Sequence, residues 1–237
     1  MHANNSMDPS KKAPLRAYVF ICDNIENVLK AKAEIRSLEN KGNFSIHIND
    51  TREEAVCLAS IYFNDNSIEM LNARSYKIET EKLDTLIHRL KEEVRAQEAD
   101  IDDVCGAGST PLNVAGARES ADLDFLYSGS KPLIIPDGEL SHHASELKYY
   151  PYDEATIVHH PQMQFYYNGV KFISLDILLK MKRKRNERPK DVKDCKLISK
   201  IKKGAKNRFK LFEKVKLGNK KSIILLGKIT IVYKTVK

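Results

Sequence analysis

The chain has 237 residues, of which 42% are hydrophobic and 30% charged, a composition typical of a globular protein that buries a substantial core. Its 40 lysines and arginines outnumber its 32 acids, and the net charge of +8 favours anionic partners: nucleotides, nucleic acid or an anionic membrane surface. Residues 1–14 lack the apolar core of a secretory signal, and no apolar run reaches the roughly 20 residues that span a bilayer, so we expect a cytoplasmic protein without a transmembrane segment.

Residues 16–100 are predicted to form an N-terminal α/β region after a mobile N-terminus of residues 1–15. Predicted strands at 17–22, 44–50 and 67–72 alternate with predicted helices at 24–42 and 51–64, a βαβαβ pattern typical of layered α/β domains. Thr51 is placed to cap the second helix, with Glu54 as the other half of a capping box. Residues 79–99 predict a connector helix, because one stripe of it collects Leu83, Leu86, Ile87, Leu90 and Val94.

A domain boundary is predicted near residue 101, where the sequence becomes rich in Gly, Asp and Ser, with a second domain over residues 101–199. Residues 121–127 predict a strand, residues 174–188 a helix, and a further helix begins near Pro189, where Asp191 and Asp194 complement the positive end of the helix dipole. Residues 200–237 form a basic tail whose end predicts a β-hairpin turning near Gly227. The predicted fold class is α/β (α+β), a mixed sheet with flanking helices preceded by the small βαβαβ region.

The segment 104–127 combines a Gly108-Ser109 turn with Asp122 and Asp124. Side chains two apart on a strand share a face, so both carboxylates point the same way. Two like charges at this separation repel each other unless a cation neutralises them, and two carboxylates facing one way can hold one or two Mg²⁺ ions. A Gly-Ser turn lets backbone amides and a hydroxyl approach phosphate oxygens. This pattern predicts a site for a metal ion and phosphate.

The spacing from Ala107-Gly108-Ser109 to the Asp-Leu-Asp-Phe stretch at 122–125 resembles the signature of the nucleotidyltransferase superfamily, which includes the polymerase-β-like enzymes. Residues 169–198 resemble the helical region that follows the catalytic sheet in small bacterial nucleotidyltransferase-like proteins. The whole pattern is similar to nucleotidyltransferase-like modules of bacterial surface-polysaccharide biosynthesis. These resemblances together imply a nucleotidyltransferase-like mixed sheet over roughly the second half of the chain.

The resemblance implies Mg²⁺- or Mn²⁺-dependent transfer of a nucleotidyl or phosphoryl group from a nucleoside triphosphate or nucleotide-linked donor to a hydroxyl acceptor, with a sugar or glycan precursor favoured as the acceptor. Asp122 and Asp124 would then hold the metal ion, and Gly108 and Ser109 would bind phosphate. Catalytic members of the superfamily usually carry a third acid on a later strand. No acid here follows that pattern cleanly, and the nearest candidates are Asp153 and Glu154.

Several cations are further candidates for phosphate binding. Arg118 could clamp a phosphate with two hydrogen bonds, and Lys171, Lys180 and Lys182 could contact phosphate oxygens. The basic run 180–188 is also typical of a solvated helix face.

Adjacent histidines at 142–143 and 159–160 are expected at the surface or in loops, because neighbouring strand residues face opposite sides and nothing completes a zinc shell. Residues 163–172 are expected to form a buried strand.

Two alternative functions follow from the same sequence. The basic tail favours an RNA-directed protein, either an RNA-modifying nucleotidyltransferase or an RNA-binding module. The lack of a clear third acid favours a catalytically silent domain that binds a partner.

Overall fold

The computed structural model describes residues 17–21, 24–39, 46–49, 51–75, 78–136, 138–214 and 229–234, which divide into two compact units. The second unit spans Phe63–Phe209. The predicted boundary near residue 101 therefore differs from the division in the structure. Among the described residues, no helix is both long and apolar enough to cross a membrane.

The first unit contains a parallel three-stranded sheet in the order β1-β8-β2. Its elements are β1 (Ala17–Ile21), α1 (Ile25–Glu39), β2 (Ile46–Ile48), α2 (Arg52–Tyr62) and β8 (Ile229–Lys234). Val28 packs with Ile46 and Ile48 in its core, and the backbone N–H of Glu54 donates to Thr51 Oγ1 at 3.1 Å, the predicted cap of α2.

One predicted strand is a helix in the structure, and the predicted tail hairpin is described only in part. The segment predicted as a third strand at 67–72 lies instead in helix α3 (Asp65–Ala73), because Asn64 accepts a hydrogen bond from the backbone N–H of Ser67, and Ser67, Met70 and Ala73 are buried with helical spacing. In the tail, β8 pairs in parallel with β1 and with β2. The hairpin partner and the turn near Gly227 that were predicted for it fall in residues 215–228, which lie outside the described residues.

The second unit is a mixed five-stranded sheet with flanking helices, as predicted, in the order β5-β4-β3-β7-β6. β3 pairs antiparallel with β4 and parallel with β7, while β4 and β5 are parallel and β6 and β7 antiparallel. Besides α3, its elements are α4 (Glu81–Ala96), β3 (Val104–Gly106), α5 (Thr110–Val114), β4 (Leu123–Tyr127), β5 (Leu140–His142), α6 (Glu154–His159), β6 (Gln164–Tyr167), β7 (Val170–Ile173), α7 (Leu175–Arg185) and α8 (Pro189–Lys214).

One continuous core holds this unit together. The predicted stripe of α4 is buried in full, and it joins a cluster with Phe125, Phe165 and Phe172 from three strands. The expected single strand at 163–172 is two strands, because Asn168 and Gly169 both adopt positive φ and turn the chain into a hairpin between β6 and β7. The helix predicted to begin at Pro189 is confirmed, although it continues to Lys214.

Candidate phosphate and metal site

The Gly-Ser turn lies directly beside the strand that carries the paired aspartates. The backbone N–H of Ala107 donates to the carbonyl of Asp124 at 2.7 Å, which ties the turn to β4. Gly108 has a φ of +57°, and a Cβ atom at this position would overlap the carboxylate of Asp124. Glycine is therefore required here both for its backbone conformation and for the close approach of the carboxylate. Ser109 precedes the five-residue helix α5 without capping it through its side chain.

Asp122 immediately precedes β4 and Asp124 lies within it, and the two side chains line the same cavity. Asp124 keeps 17% of its side chain exposed. In the register between β4 and β5 it lies opposite Ser141, whose hydroxyl donates to Asp124 Oδ1 at 3.0 Å. One carboxylate oxygen is thus held in place, while the side chain remains accessible from the cavity.

His143 follows β5 and forms another wall of the cavity. Its Nε2 lies 4.0 Å from Asp124 Oδ2, and its Nδ1 lies 3.0 Å from the hydroxyl of Tyr150. Burial lowers the pKa of His143, while the negative charges of Asp124 and Glu146 act in the opposite direction.

The prediction that His143 is a surface or loop residue is wrong, since it begins a 3-10 helix and only 12% of its side chain is exposed. The same prediction is confirmed for His142, His159 and His160, which are exposed.

Two cations reach the cavity from α7. Lys182 and Arg185 are one helical turn apart and share a face with the buried Leu178, so both basic side chains are buried instead of solvated. Lys182 Nζ lies 3.0 Å from Asp191 Oδ1 and 3.1 Å from Asp194 Oδ2 at the start of α8.

Arg185 binds two carboxylates: Asp191, which it shares with Lys182, and Glu146. It donates from Nε and Nη2 to both oxygens of Asp191, at 2.9 and 2.7 Å, and from Nη1 to Glu146 at 2.7 Å. The hydrogen bonds to Asp191 raise the pKa of Arg185.

These ion pairs lower the pKa values of two buried carboxyl groups, Asp191 and Asp194. Burial by itself would raise the pKa of Asp191, but hydrogen bonds from Arg185 and Lys182 bring it below its usual value. Hydrogen bonds from Arg118 and Lys182 do the same for Asp194. Asp191 and Asp194 are therefore ionised at neutral pH. Their ion pairs fix the end of α7 and the start of α8 against the cavity.

The cavity itself has a volume of about 170 Å³. Exposed cations at its mouth come from the α7–α8 connection and from the first turn of α8. The nine lining residues are Gly108, Ser109, Asp122, Asp124, His143, Lys182, Arg185, Arg188 and Lys190. The structure therefore gathers the turn, both aspartates and four cations around one small polar space.

Two predicted phosphate ligands are engaged elsewhere. Arg118 makes a two-fold hydrogen-bonded ion pair with Asp194 and does not line the cavity. Lys171 is buried in β7, where its amine donates to the backbone carbonyls of Asp102 and Val158 and where burial lowers its pKa. Lys180 is exposed and does not line the cavity either. Of the predicted lysines, only Lys182 lines it.

The predicted third acids also lie away from the cavity lining. Asp153 accepts from the backbone N–H of Thr156 at 2.9 Å and caps α6. Glu154 accepts from the backbone N–H of Tyr127, at the opposite end of β4 from Asp122. Both carboxylates thus have structural partners, and neither lines the cavity with Asp122 and Asp124.

The residues present fit a divalent cation that takes part of its shell from a phosphate. Within the described part of the chain, no group of three or more His, Cys, Asp or Glu side chains is arranged to hold a metal ion. Asp122 and Asp124 nevertheless supply hard carboxylate oxygens to one cavity beside four cations, the donor type that Mg²⁺ takes in phosphate sites, where substrate oxygens and water complete the coordination.

The sequence analysis did not identify three of the four cations that line the cavity: Arg185, Arg188 and Lys190. It treated residues 180–188 as a solvated face and Asp191 and Asp194 only as dipole partners. A signal was present, since Leu178, Lys182 and Arg185 fall on one helix face and two aspartates follow with the same one-turn spacing. Arg188 and Lys190 carry no comparable signal, because exposed basic residues are common near helix ends.

Comparison of the chain with protein-family models, with curated proteins and with solved structures finds no match.

Proposed function

We propose that this cavity binds the phosphates of a nucleoside triphosphate together with a divalent cation, and that the protein transfers a nucleotidyl or phosphoryl group to a hydroxyl acceptor. The observation that carries the proposal is that Gly108, Ser109, Asp122 and Asp124 line one cavity with four cationic side chains. A site that combines paired carboxylates with cations matches a ligand that combines a metal ion with phosphate. The resemblance of the sequence to nucleotidyltransferases supports the same reaction.

Charge balance supports a requirement for metal. Lys182 and Arg185, together with Arg118, balance the charges of Asp191, Asp194 and Glu146. Arg188 also pairs with Glu146, at 3.6 Å. The remaining cations of the lining, Arg188 and Lys190, only match Asp122 and Asp124 in charge. A polyphosphate that enters alone would meet no net positive charge, so we expect strong binding only with a divalent cation.

Different residues of the cavity would have different roles in the reaction. Asp122 and Asp124 would hold the cation, which supplies charge neutralisation at the phosphates and acidifies a coordinated hydroxyl. Ser109 and the turn would hydrogen-bond phosphate oxygens, and Arg188 and Lys190 would stabilise the charge that develops on the leaving group.

In nucleotidyl transfer the acceptor oxygen forms a new ester bond to the α-phosphorus and releases its proton. The bond from that phosphorus to the bridging oxygen breaks, and pyrophosphate leaves.

The glycan acceptor and the cytoplasmic location stay predictions. The silent-domain alternative is favoured by one observation, that neither Asp153 nor Glu154 lines the cavity. It predicts metal-dependent nucleotide binding without transfer.

The first test is calorimetric titration with ATP, CTP, GTP and UTP, each with and without Mg²⁺. We expect binding that requires Mg²⁺ and weakens at least tenfold in Asp122→Asn and Asp124→Asn variants. The matched control is Asp176→Asn, which changes an exposed aspartate of α7 outside the cavity. Absence of binding by all four nucleotides, or equal binding by the variants and the wild type, would refute the proposed site.

The second test follows the phosphorus atoms. Incubation with α- and γ-labelled nucleotide and a panel of sugar and RNA acceptors separates nucleotidyl transfer, which moves the α-label, from phosphoryl transfer, which moves the γ-label. Metal-dependent binding without transfer to any acceptor would favour the silent domain.

A further inference from the structure

The exposed face of α8 carries a row of lysines that begins at the cavity. Lys190, Lys193, Lys196, Lys200 and Lys203, here called the lysine stripe, are all exposed and follow one another at intervals of three or four residues. At 3.6 residues per turn these positions fall within roughly 140° of arc and extend over about 20 Å of helix. Lys190 is both the first member of the stripe and part of the cavity lining.

The charge of the stripe is not compensated locally. The acids of α8 within this span, Asp191 and Asp194, are buried and turned toward Lys182. None of the stripe lysines forms an ion pair or hydrogen bond with another residue that the structure describes. An uncompensated row of lysines one turn apart has an unfavourable electrostatic energy that a regularly charged polyanion would relieve.

The environment of the stripe favours a nucleic acid over a lipid surface. A helix that lies in a membrane exposes an apolar face beside its lysines. In α8 the apolar face is directed inward, with Ile198 and Ala205 buried and Leu197 and Ile201 packed on the core. Residues 189–205, the part of α8 whose side chains the structure describes, include no aromatic residue for base stacking. Recognition would therefore depend on the phosphate backbone.

We propose that the lysine stripe binds the phosphate backbone of an RNA strand without sequence preference and leads it to the cavity at Lys190. Binding of RNA to the stripe does not depend on the transfer reaction. A second conclusion rests on the proposed function: the hydroxyl acceptor of the transfer belongs to the bound RNA. This surface lies on described residues and overlaps the predicted RNA-binding tail, residues 200–237, only at Lys200 and Lys203, since most of the tail lies outside the described side chains.

The test measures binding of a labelled 20-nucleotide RNA by fluorescence anisotropy over a range of salt concentrations. The variant carries Lys193→Gln, Lys196→Gln and Lys200→Gln and keeps Lys190, so the cavity lining is unchanged. The control carries Lys30→Gln, Lys148→Gln and Lys184→Gln, which removes the same charge from exposed positions off α8 that form no ion pair with a described residue. Circular dichroism establishes that both variants are folded.

We expect the stripe variant to bind at least tenfold more weakly at low salt, with the slope of log K against log salt reduced by about 2, since each phosphate contact to a single strand contributes about 0.7. The control should bind within about twofold of the wild type. Equal weakening of both variants would show that net charge alone governs binding and would overturn the proposal. Tighter binding to vesicles with anionic lipid than to RNA would overturn it in favour of a membrane surface.

Titration of both variants with Mg²⁺ and nucleotide separates the two proposals. Loss of RNA binding with nucleotide binding retained supports the stripe. Intact RNA binding in the stripe variant rejects the stripe and leaves the nucleotide site standing, whereas failure of the wild type to bind any nucleotide rejects the site but not the RNA surface.

Discussion

Arg118 and Asp194 form a two-fold hydrogen-bonded ion pair, with Nε 2.8 Å from Oδ1 and Nη2 3.0 Å from Oδ2. The pair joins the turn after α5 to the first turns of α8, two segments 76 residues apart. Arg118 thereby supports the helix that carries Lys190 and is committed to a buried carboxylate instead of the cavity.

The first prediction concerns this pair. We expect Arg118→Met to lower the free energy of unfolding by about 1–3 kcal/mol, because Asp194 loses two charge-assisted hydrogen bonds while it stays buried. Nucleotide binding at saturating Mg²⁺ should change less than about threefold. Chemical denaturation and calorimetry measure the two quantities. The control, Arg183→Met, changes an exposed arginine of α7. Tenfold weaker nucleotide binding at unchanged stability would instead identify Arg118 as a phosphate clamp.

The second prediction concerns Gly108. Alanine at this position would place a Cβ atom against the Asp124 carboxylate at a φ of +57°, so we expect Gly108→Ala to lose Mg²⁺-dependent nucleotide binding and stability together. The matched control is Gly204→Ala in α8, where a Cβ meets nothing within 4 Å. That change should stabilise the protein by about 0.5–1 kcal/mol, since alanine is the better helix former. Normal nucleotide binding by the Gly108 variant would contradict the assigned site.

The third prediction concerns acid stability. The folded-state pKa values of Asp191 and Asp194 lie below the ordinary 3.8, so the unfolded chain binds more protons than the folded protein as the pH falls. The contribution of these carboxylates is complete above about pH 5 and is lost as the pH falls through their folded-state pKa values.

Denaturation curves between pH 7 and pH 3 test this expectation. The free energy of unfolding should fall below about pH 5 in the wild type and fall less steeply in Asp194→Asn, which starts from a lower value because Lys182 and Arg118 each lose a charged partner. Asp176→Asn, an exposed change, serves as the control. Parallel curves for the wild type and Asp194→Asn would refute the assignment.

The fourth prediction concerns His143. Burial lowers its pKa below the ordinary 6.5, and the charge of Asp124 opposes this effect. Asp124→Asn removes that charge, so we expect the pKa of His143 to fall further, because a nearby carboxylate favours the imidazolium. Titration of the imidazole signals by NMR measures the shift. An increase in the pKa of His143, or an equal shift in Asp176→Asn, would contradict the geometry.

Much of the fold could be predicted from residue pattern alone. The stripe on α4, the strand that carries Asp124 and the helix start at Pro189 all follow from local periodicity and termination signals, and the structure confirms them. The strand predicted at 67–72 is wrong because a short apolar run is compatible with either a helix or a strand. The N-cap hydrogen bond of Asn64 stabilises the helix here.

Part of the candidate site could likewise be predicted from the sequence, and part of it could not. The sequence placed Gly108, Ser109, Asp122 and Asp124 in one site through the resemblance of their spacing to the nucleotidyltransferase signature. In the structure they meet because β3 pairs with β4. The sequence could not place His143, which reaches Asp124 through the parallel pairing of β4 with β5. Nor could it recognise Arg118 and Lys171 as engaged elsewhere, since their partners come from segments distant in sequence.

The sequence by itself therefore determined the α/β class, the Gly-Ser turn and the paired carboxylates, because short-range spacing fixes which side chains share a face. Only the tertiary structure decided that Lys182 and Arg185 are buried against Asp191 and Asp194, and that β8 is inserted between β1 and β2. The physical reason is that a charge is buried only where opposite charges from other segments compensate its lost hydration, and that compensation depends on how distant segments pack.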